Sequence, residues 1–236
     1  MNDLRKIFDS NNEGKLIHKW AHYFDVYHRH LSRFRGKKIT MLEIGVSQGG
    51  SLDMWREYFG DGLTLFAIDI DERCKQFERE GVTIFIGDQG DRQFLRHVRE
   101  QMPPLDILID DGGHTMKQQI RTFEELYGHV REDGVFMCED LCTSYMRRYG
   151  GGFRKKGSFI EYSKNFIDQI NAWFSENKSK LDVSEFSRST DSLHYYSGIL
   201  AIEKGVMDPP ETLKSGIMQF DSEPSMMRKI RNRIRV

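Results

Sequence analysis

The sequence predicts an α/β fold built on a doubly wound, mostly parallel sheet, and three observations carry that prediction. Between residues 39 and 140, short apolar runs alternate with segments of helical spacing. The runs are unbroken rather than alternating, as expected of strands covered on both faces. A glycine-studded turn, "VSQGG", joins the first run to the helix after it.

In order along the chain, residues 2–9 predict a short helix that ends at the polar break "SNNEG". Residues 15–34 carry apolar or aromatic side chains at 16, 17, 20, 23, 24, 27 and 31, which is one face of a long helix. "RGKK" breaks it, and together these segments form an N-terminal helical extension. "ITMLEIGV", "LTLFAIDID", "VTIFIGD", "LDILIDDGGH" and "GVFMCEDL" read as five strands. The intervening helices are "SLDMWREYFG", "ERCKQFEREG", "RQFLRHVREQM" and "KQQIRTFEELYGHVRED", with the third closed by Pro103 and Pro104.

The stretch 147–157, "RRYGGGFRKKG", is expected to be a mobile loop, either a lid or a plain disordered connection. "SFIEYSKNFIDQINAWFSEN" predicts one long amphipathic helix. "SEFSRSTDSLHYYSGILAIEKG" predicts two more strands, antiparallel to the rest. The division is 1–36 as helical cap, 37–205 as the α/β domain and 206–236 as a tail with a basic end.

Bulk properties narrow the function classes. The chain has 236 residues, 38% of them apolar and 12% aromatic, which supports a full core. A net charge of −1 gives no global attraction to nucleic acid. The last nine residues, "RKIRNRIRV", hold five basic side chains. They are either a solvated end or a patch for peripheral membrane contact. Three cysteines without a CxxC pair point to neither a disulfide framework nor a zinc site. Without an apolar leader or a run of 18 apolar residues, a soluble, cytoplasmic protein is expected.

The ligand should sit where the sheet order reverses, at the carboxyl ends of the strands. The first turn reads E-x-G-x-x-x-G, with Glu43, Gly45 and Gly49. Ser47 replaces the glycine that admits a pyrophosphate, which disfavours a nicotinamide cofactor. An acid two residues before Gly45 suits a ligand with a cationic end and no phosphate, such as S-adenosylmethionine. Asp69 lies 20 residues after Gly49, where an acid can take ribose hydroxyls. Asp88 and Gln89 can read an adenine amine.

The fourth and fifth strands exit as "IDDGGH" and "CEDL". Side by side, they would gather Asp110, Asp111, His114, Glu139 and Asp140 in one space. That many carboxylates call for a counter-charge, and all-oxygen ligands suit magnesium, with manganese as a substitute. His114 follows a Gly-Gly turn and has the ordinary pKa range of a general base.

Five motifs in order, "KWAHYFDVYHRHLSRFRGK", "LEIGVSQGGSLDMWREYFG", "AIDID", "ILIDDGGH" and "CEDLCTSY", resemble the metal-dependent sugar O-methyltransferases over residues 18–146. The resemblance implies a seven-stranded Rossmann-like methyltransferase sheet with its last strand antiparallel. It implies that Glu43, Gly45, Ser51, Asp69 and Gln89 hold S-adenosylmethionine, with His22 and Tyr23 covering it. Asp88 and Asp110 are further candidates for the same site. Asp111, Glu139 and Asp140 would bind magnesium, with His114 and Asp111 at the catalytic centre. A sugar-containing acceptor and a homo-oligomer, dimer or higher, are the partners expected. Set against the macrolide enzymes, the chain is expected to do without their large extra N-terminal domain. Two other functions are consistent with these residues: a catechol-type O-methyltransferase, and a nonenzymatic glycan-assembly binding protein.

Overall fold

Asn2 opens the chain's first helix by accepting the amides of Leu4 and Arg5 on its side-chain oxygen. The structure, a computed structural model, describes residues 2–220; the basic end lies outside them. The first helix, α1, spans Asp3–Ser10 and buries Leu4. The second, α2, spans only Tyr23–Leu31 and runs into a 3₁₀ turn, Ser32–Phe34.

The long helix expected over 15–34 is therefore half a helix. Residues 11–22 form a non-helical strap laid across the carboxyl ends of the strands. Leu16 and Trp20 are 68% and 57% exposed, so the apolar spacing here serves the strap's own contacts and not a core-facing stripe. The strap docks on backbone: a Cβ at Gly50 would lie 2.4 Å from the Leu16 carbonyl and 2.5 Å from that of Lys15.

The strands and helices then follow as β1 Ile39–Ile44, α3 Gly50–Phe59, β2 Leu63–Asp69, β3 Val82–Ile86, α4 Arg92–Glu100, β4 Leu105–Asp110, α5 Met116–Leu126 and β5 Val130–Cys138. The expected helix after β2 is a 3₁₀ segment, Glu72–Phe77, capped by Asp71. The expected helix over 158–177 is divided into α6 Phe159–Ser163, α7 Asn165–Ile170 and a 3₁₀ turn, Ala172–Phe174. The Asn165 and Asn171 side chains bond the carbonyls of Tyr162 and Ile167, each at 2.8 Å, competing with the helical ladder. A further helix, α8, covers Glu185–Ser189, before β6 Thr190–Tyr195 and β7 Leu200–Lys204.

All seven strands join one sheet in the order β3-β2-β1-β4-β5-β7-β6. Strands β1 to β5 pair in parallel, and β7 is antiparallel to β5 and β6. Only β7 thus opposes the rest; β6, expected antiparallel with it, runs with β1–β5.

Alternate side chains feed two cores, one on each face. Met41, Leu65, Ile107 and Ile109 join α2 and α3 residues such as Tyr27 and Trp55. Leu42, Phe66, Leu108 and Phe136 join α5 to α7 residues such as Phe123 and Phe166. The 147–157 stretch is a set of turns held by bonds such as Gly152 N–H to the Ser144 carbonyl at 2.7 Å. Among the described residues no helix is long and apolar enough to cross a membrane.

Candidate active site

The sheet order reverses between β1 and β4, so their carboxyl ends splay and leave a crevice. A cleft of about 390 Å³ opens there. Its floor is the turn after β1. Gly45 has φ +98°, and a Cβ there would stand 2.2 Å from the Asp111 carbonyl, so only glycine lets β1 and β4 leave the sheet this close together. Asp69, at the end of β2, holds the turn by accepting the amides of Val46 at 2.8 Å and Ser47 at 3.0 Å on Oδ2.

Glu43 sits beneath the cleft, fully buried, and does not line it. Ser51 and Trp55 donate to its carboxylate at 2.8 and 2.9 Å. Burial pushes its pKa up, against the pull of Lys19 and these two donors. Gln89 lines the cleft, but both ends of its amide are engaged. It donates to Asp110 Oδ1 at 2.8 Å and accepts the Gly113 amide at 2.7 Å. Asp110 is fully buried behind it and outside the lining, with its pKa raised by burial. Gly45, Ser51, Asp69, Asp88 and Tyr23 are in the lining. His22, expected to cover the cleft, is exposed, with Nε2 2.8 Å from the Ser197 carbonyl.

The acidic residues meet at the β4 and β5 exits, as the register of Asp110 opposite Cys138 requires. Asp140 accepts Trp20 Nε1 at 3.0 Å and the Tyr23 hydroxyl at 2.9 Å on Oδ1, which turns Oδ2 toward His114 Nε2 at 3.5 Å. Asp111 gives Oδ2 to Lys19 at 2.5 Å and leaves Oδ1 3.8 Å from the same His114 nitrogen. Ligand atoms of Asp111, His114 and Asp140 all lie within 4.8 Å of one another.

Glu139, expected beside them as a metal ligand, lines the same cleft but lies outside this tight group. Its two oxygens accept Tyr27 Oη at 2.7 Å and Lys19 Nζ at 3.1 Å. Burial and Asp111 raise its pKa. The strict alternation of a strand fails here because Asp140 has φ +52°. His114 also has positive φ, +55°. Thr143 Oγ1, 2.8 Å from the Asp140 carbonyl and 3.0 Å from that of His114, pins both residues.

Hard oxygen donors in a tight group, beside a buried His114 Nδ1 with no partner among the described residues, fit a divalent cation.

Known proteins resemble the chain in sequence and in fold. The chain is 31% identical over 204 residues to demethylmacrocin O-methyltransferase of Streptomyces fradiae. It is 29% identical over 196 residues to the 8-demethyl-8-alpha-L-rhamnosyl tetracenomycin-C 2'-O-methyltransferase of Streptomyces olivaceus. A solved structure of MycE methyltransferase with Mg, SAH and mycinamycin VI superposes with a TM-score of 0.77 at 25% identity.

The chain is a homologue of the sugar O-methyltransferases. It shares the fold of the MycE methyltransferase. The alignments cover 81% and 79% of this chain and 51% of each of the two enzymes, and 98% of this chain and 58% of the MycE chain. The chain thus spans about half the length of the curated relatives it matches. No family model matches it.

In this sugar O-methyltransferase homologue, Lys19, Trp20 and Tyr27 escaped the sequence reading. All three lie in "KWAHYFDVY", where Trp20 and Tyr27 read only as part of a helix's apolar face and Lys19 carried no role. The Lys19 side chain is 3% exposed. The usable signal was chemical: a lysine and aromatic donors just ahead of a chain rich in carboxylates at strand ends.

Proposed function

We propose that this chain methylates a hydroxyl of a sugar, on a glycoside or a larger glycan, using S-adenosylmethionine and magnesium or manganese. The observation that supports it most is the sharing of one cleft by two features. One is the Gly45–Asp69 turn, shaped for a nucleoside without phosphates; the other is the Asp111, His114 and Asp140 group.

The chain's own residues divide the work. Ser47, Asp69 and Asp88 line one end of the cleft and would seat the nucleoside; Gly45 gives it room. Asp111 Oδ1 and Asp140 Oδ2 are the carboxylate oxygens left free to hold the metal ion. When bound, such an ion supplies a Lewis acid that lowers the proton affinity of a coordinated hydroxyl. His114 Nε2, next to both oxygens, is placed to accept that proton. Trp20, exposed at the rim, excludes water and packs against the acceptor. A cytoplasmic location and a homo-oligomer belong to the same reading.

The test is an acceptor panel of glycosides bearing neighbouring hydroxyls and of catechols, assayed with methyl-labelled S-adenosylmethionine. Label is expected on the glycosides; label on catechols alone would sink the sugar assignment. His114→Ala should retain S-adenosylhomocysteine binding and lose about 10²–10⁴-fold in turnover. Unchanged turnover would remove His114 as the base.

A further inference from the structure

Next to the base, one lobe of the chain holds cations that no acid balances. Arg147, Arg148, Arg154, Lys155 and Lys156 are all exposed, and the sequence has no aspartate or glutamate between Asp140 and Glu161. Among the described residues none of the five pairs with a carboxylate, whereas Arg92, Arg96 and Arg131 each do.

The lobe is built and not loose. A 3₁₀ turn, Arg147–Tyr149, begins it. The Gly151 and Gly152 amides donate to the Met146 and Ser144 carbonyls at 3.0 and 2.7 Å, and Ser144 Oγ accepts the Ile160 amide at 3.2 Å. The neighbouring Thr143 is the residue whose hydroxyl holds the His114 carbonyl, so lobe and base are fixed to one segment. Side chains repeat the link. The Tyr149 ring centre lies 6.5 Å from that of His114, and the Arg148 guanidinium lies 5.0 Å from the centre of the Tyr149 ring.

We propose that this lobe seats a phosphate on the acceptor, so that the sugar methylated here carries a phosphate ester, either free or borne on a lipid. The inference rests on the sugar-methylating reading above and narrows its substrate to an anionic sugar.

The cleft itself repels an anion, because Asp69, Asp88, Asp111, Glu139 and Asp140 line it with Lys19 as the one lysine among them. An attracted acceptor therefore keeps its charge outside, at the lobe, while a hydroxyl reaches His114. The layout permits this. Ser47, Asp69 and Asp88 sit at the donor's end, and Tyr149 and then Arg148 follow His114. A ring hydroxyl and a phosphate on the anomeric carbon of the same sugar are a few ångströms apart, within the reach set by those two contacts. Arginine suits the task because its planar fork bonds two phosphate oxygens at once. A neutral glycoside would leave five like charges with nothing to offset their repulsion. Phe153 and Tyr145, 79% and 54% exposed, belong to the same lobe and would meet the membrane surface that carries a lipid-borne phosphate.

The experiment measures binding by calorimetry to the full chain loaded with S-adenosylhomocysteine. The probes are α-L-rhamnose 1-phosphate and methyl α-L-rhamnoside, one sugar with and without the phosphate. Wild type should bind the 1-phosphate at least about tenfold more tightly at low salt, and the preference should shrink as salt rises. R147Q/R148Q should reduce the preference to about threefold or less. K37Q/K38Q removes the same charge just ahead of β1, at the opposite end of the sheet, and should keep it. Equal affinity for the two probes overturns the proposal. So does a preference lost alike in both double variants, because net charge is then the cause. Sedimentation with phosphatidylglycerol vesicles but not phosphatidylcholine vesicles, alongside the 1-phosphate preference, supports a lipid-borne acceptor. The preference without sedimentation supports a soluble sugar phosphate. Sedimentation without the preference makes the lobe a membrane contact and overturns the phosphate seat. No methyl group is transferred in these readouts, so a failed methylation assay leaves them standing, and equal affinity leaves methylation of neutral glycosides intact.

Discussion

Replacing Gly50 by alanine should loosen methyl-donor binding while leaving the fold largely intact. Gly50 has an ordinary helical backbone, so the substitution adds no dihedral strain, and a helix gains up to about 1 kcal/mol from alanine over glycine. The new Cβ, however, would lie 2.4 Å from the Leu16 carbonyl and 2.5 Å from that of Lys15. Ordinary contact begins at 3.4 Å, so the strap must retreat by roughly 1 Å.

An overpacking cost of about 1–3 kcal/mol, offset by the helical gain, leaves a net loss of about 0–2 kcal/mol. At roughly 2–4 °C per kcal/mol for a chain of this size, Tm falls by no more than about 8 °C. The cleft suffers more, because the strap supplies Leu16 through Trp20 to its lining. Affinity for S-adenosylhomocysteine, measured by calorimetry, should fall at least about tenfold, or 1.4 kcal/mol. Gly128→Ala, where a Cβ meets nothing within 4 Å, is the control. A Gly50→Ala affinity within about twofold of wild type would refute the strap's role.

Two further outcomes follow from the same geometry. Thr143→Val removes the hydroxyl shared by the His114 and Asp140 carbonyls; kcat should fall about tenfold or more with S-adenosylhomocysteine affinity unchanged, and an unaltered kcat would deny the clamp. Arg96 and Arg92 hold the Glu125 carboxyl down to about 2, from an ordinary 4.5. A depressed carboxylate stabilises the fold above its unfolded pKa and loses that contribution as pH falls through the folded one. Glu125→Gln should therefore cost on the order of 1 kcal/mol at pH 7, the arginines being half-exposed, and its unfolding curves should converge with wild type between about pH 4.5 and 2. A constant gap across that range would show that Glu125 acts by packing alone.

Much of the architecture was legible because a parallel sheet aligns its carboxyl ends. Once "LEIG", "AIDID", "ILIDD" and "CEDL" are strand exits, Glu43, Asp69, Asp111 and Glu139 must face one edge. Their individual roles were not legible. Glu139 and Asp140, expected side by side as ligands, diverge because Asp140 is left-handed, which adjacent residues in a sequence do not reveal. The strap escaped because Leu16, Ile17 and Trp20 mimic helical spacing, while the forces that extend it are long-range: the Lys19 ion pairs and the Gly50 contact. The divided helix over 158–177 hid for the opposite reason, since Asn165 and Asn171 act within a turn or two on a pattern otherwise apolar every three or four residues.

The central claim is that sugar methylation here depends on a metal ion held by Asp111 and Asp140. The direct test is the rate of labelled methyl transfer to a reactive glycoside by chelator-stripped protein titrated with magnesium. The rate should be near zero in EDTA, rise with magnesium and saturate at one bound ion per chain. Full turnover in EDTA would contradict the account.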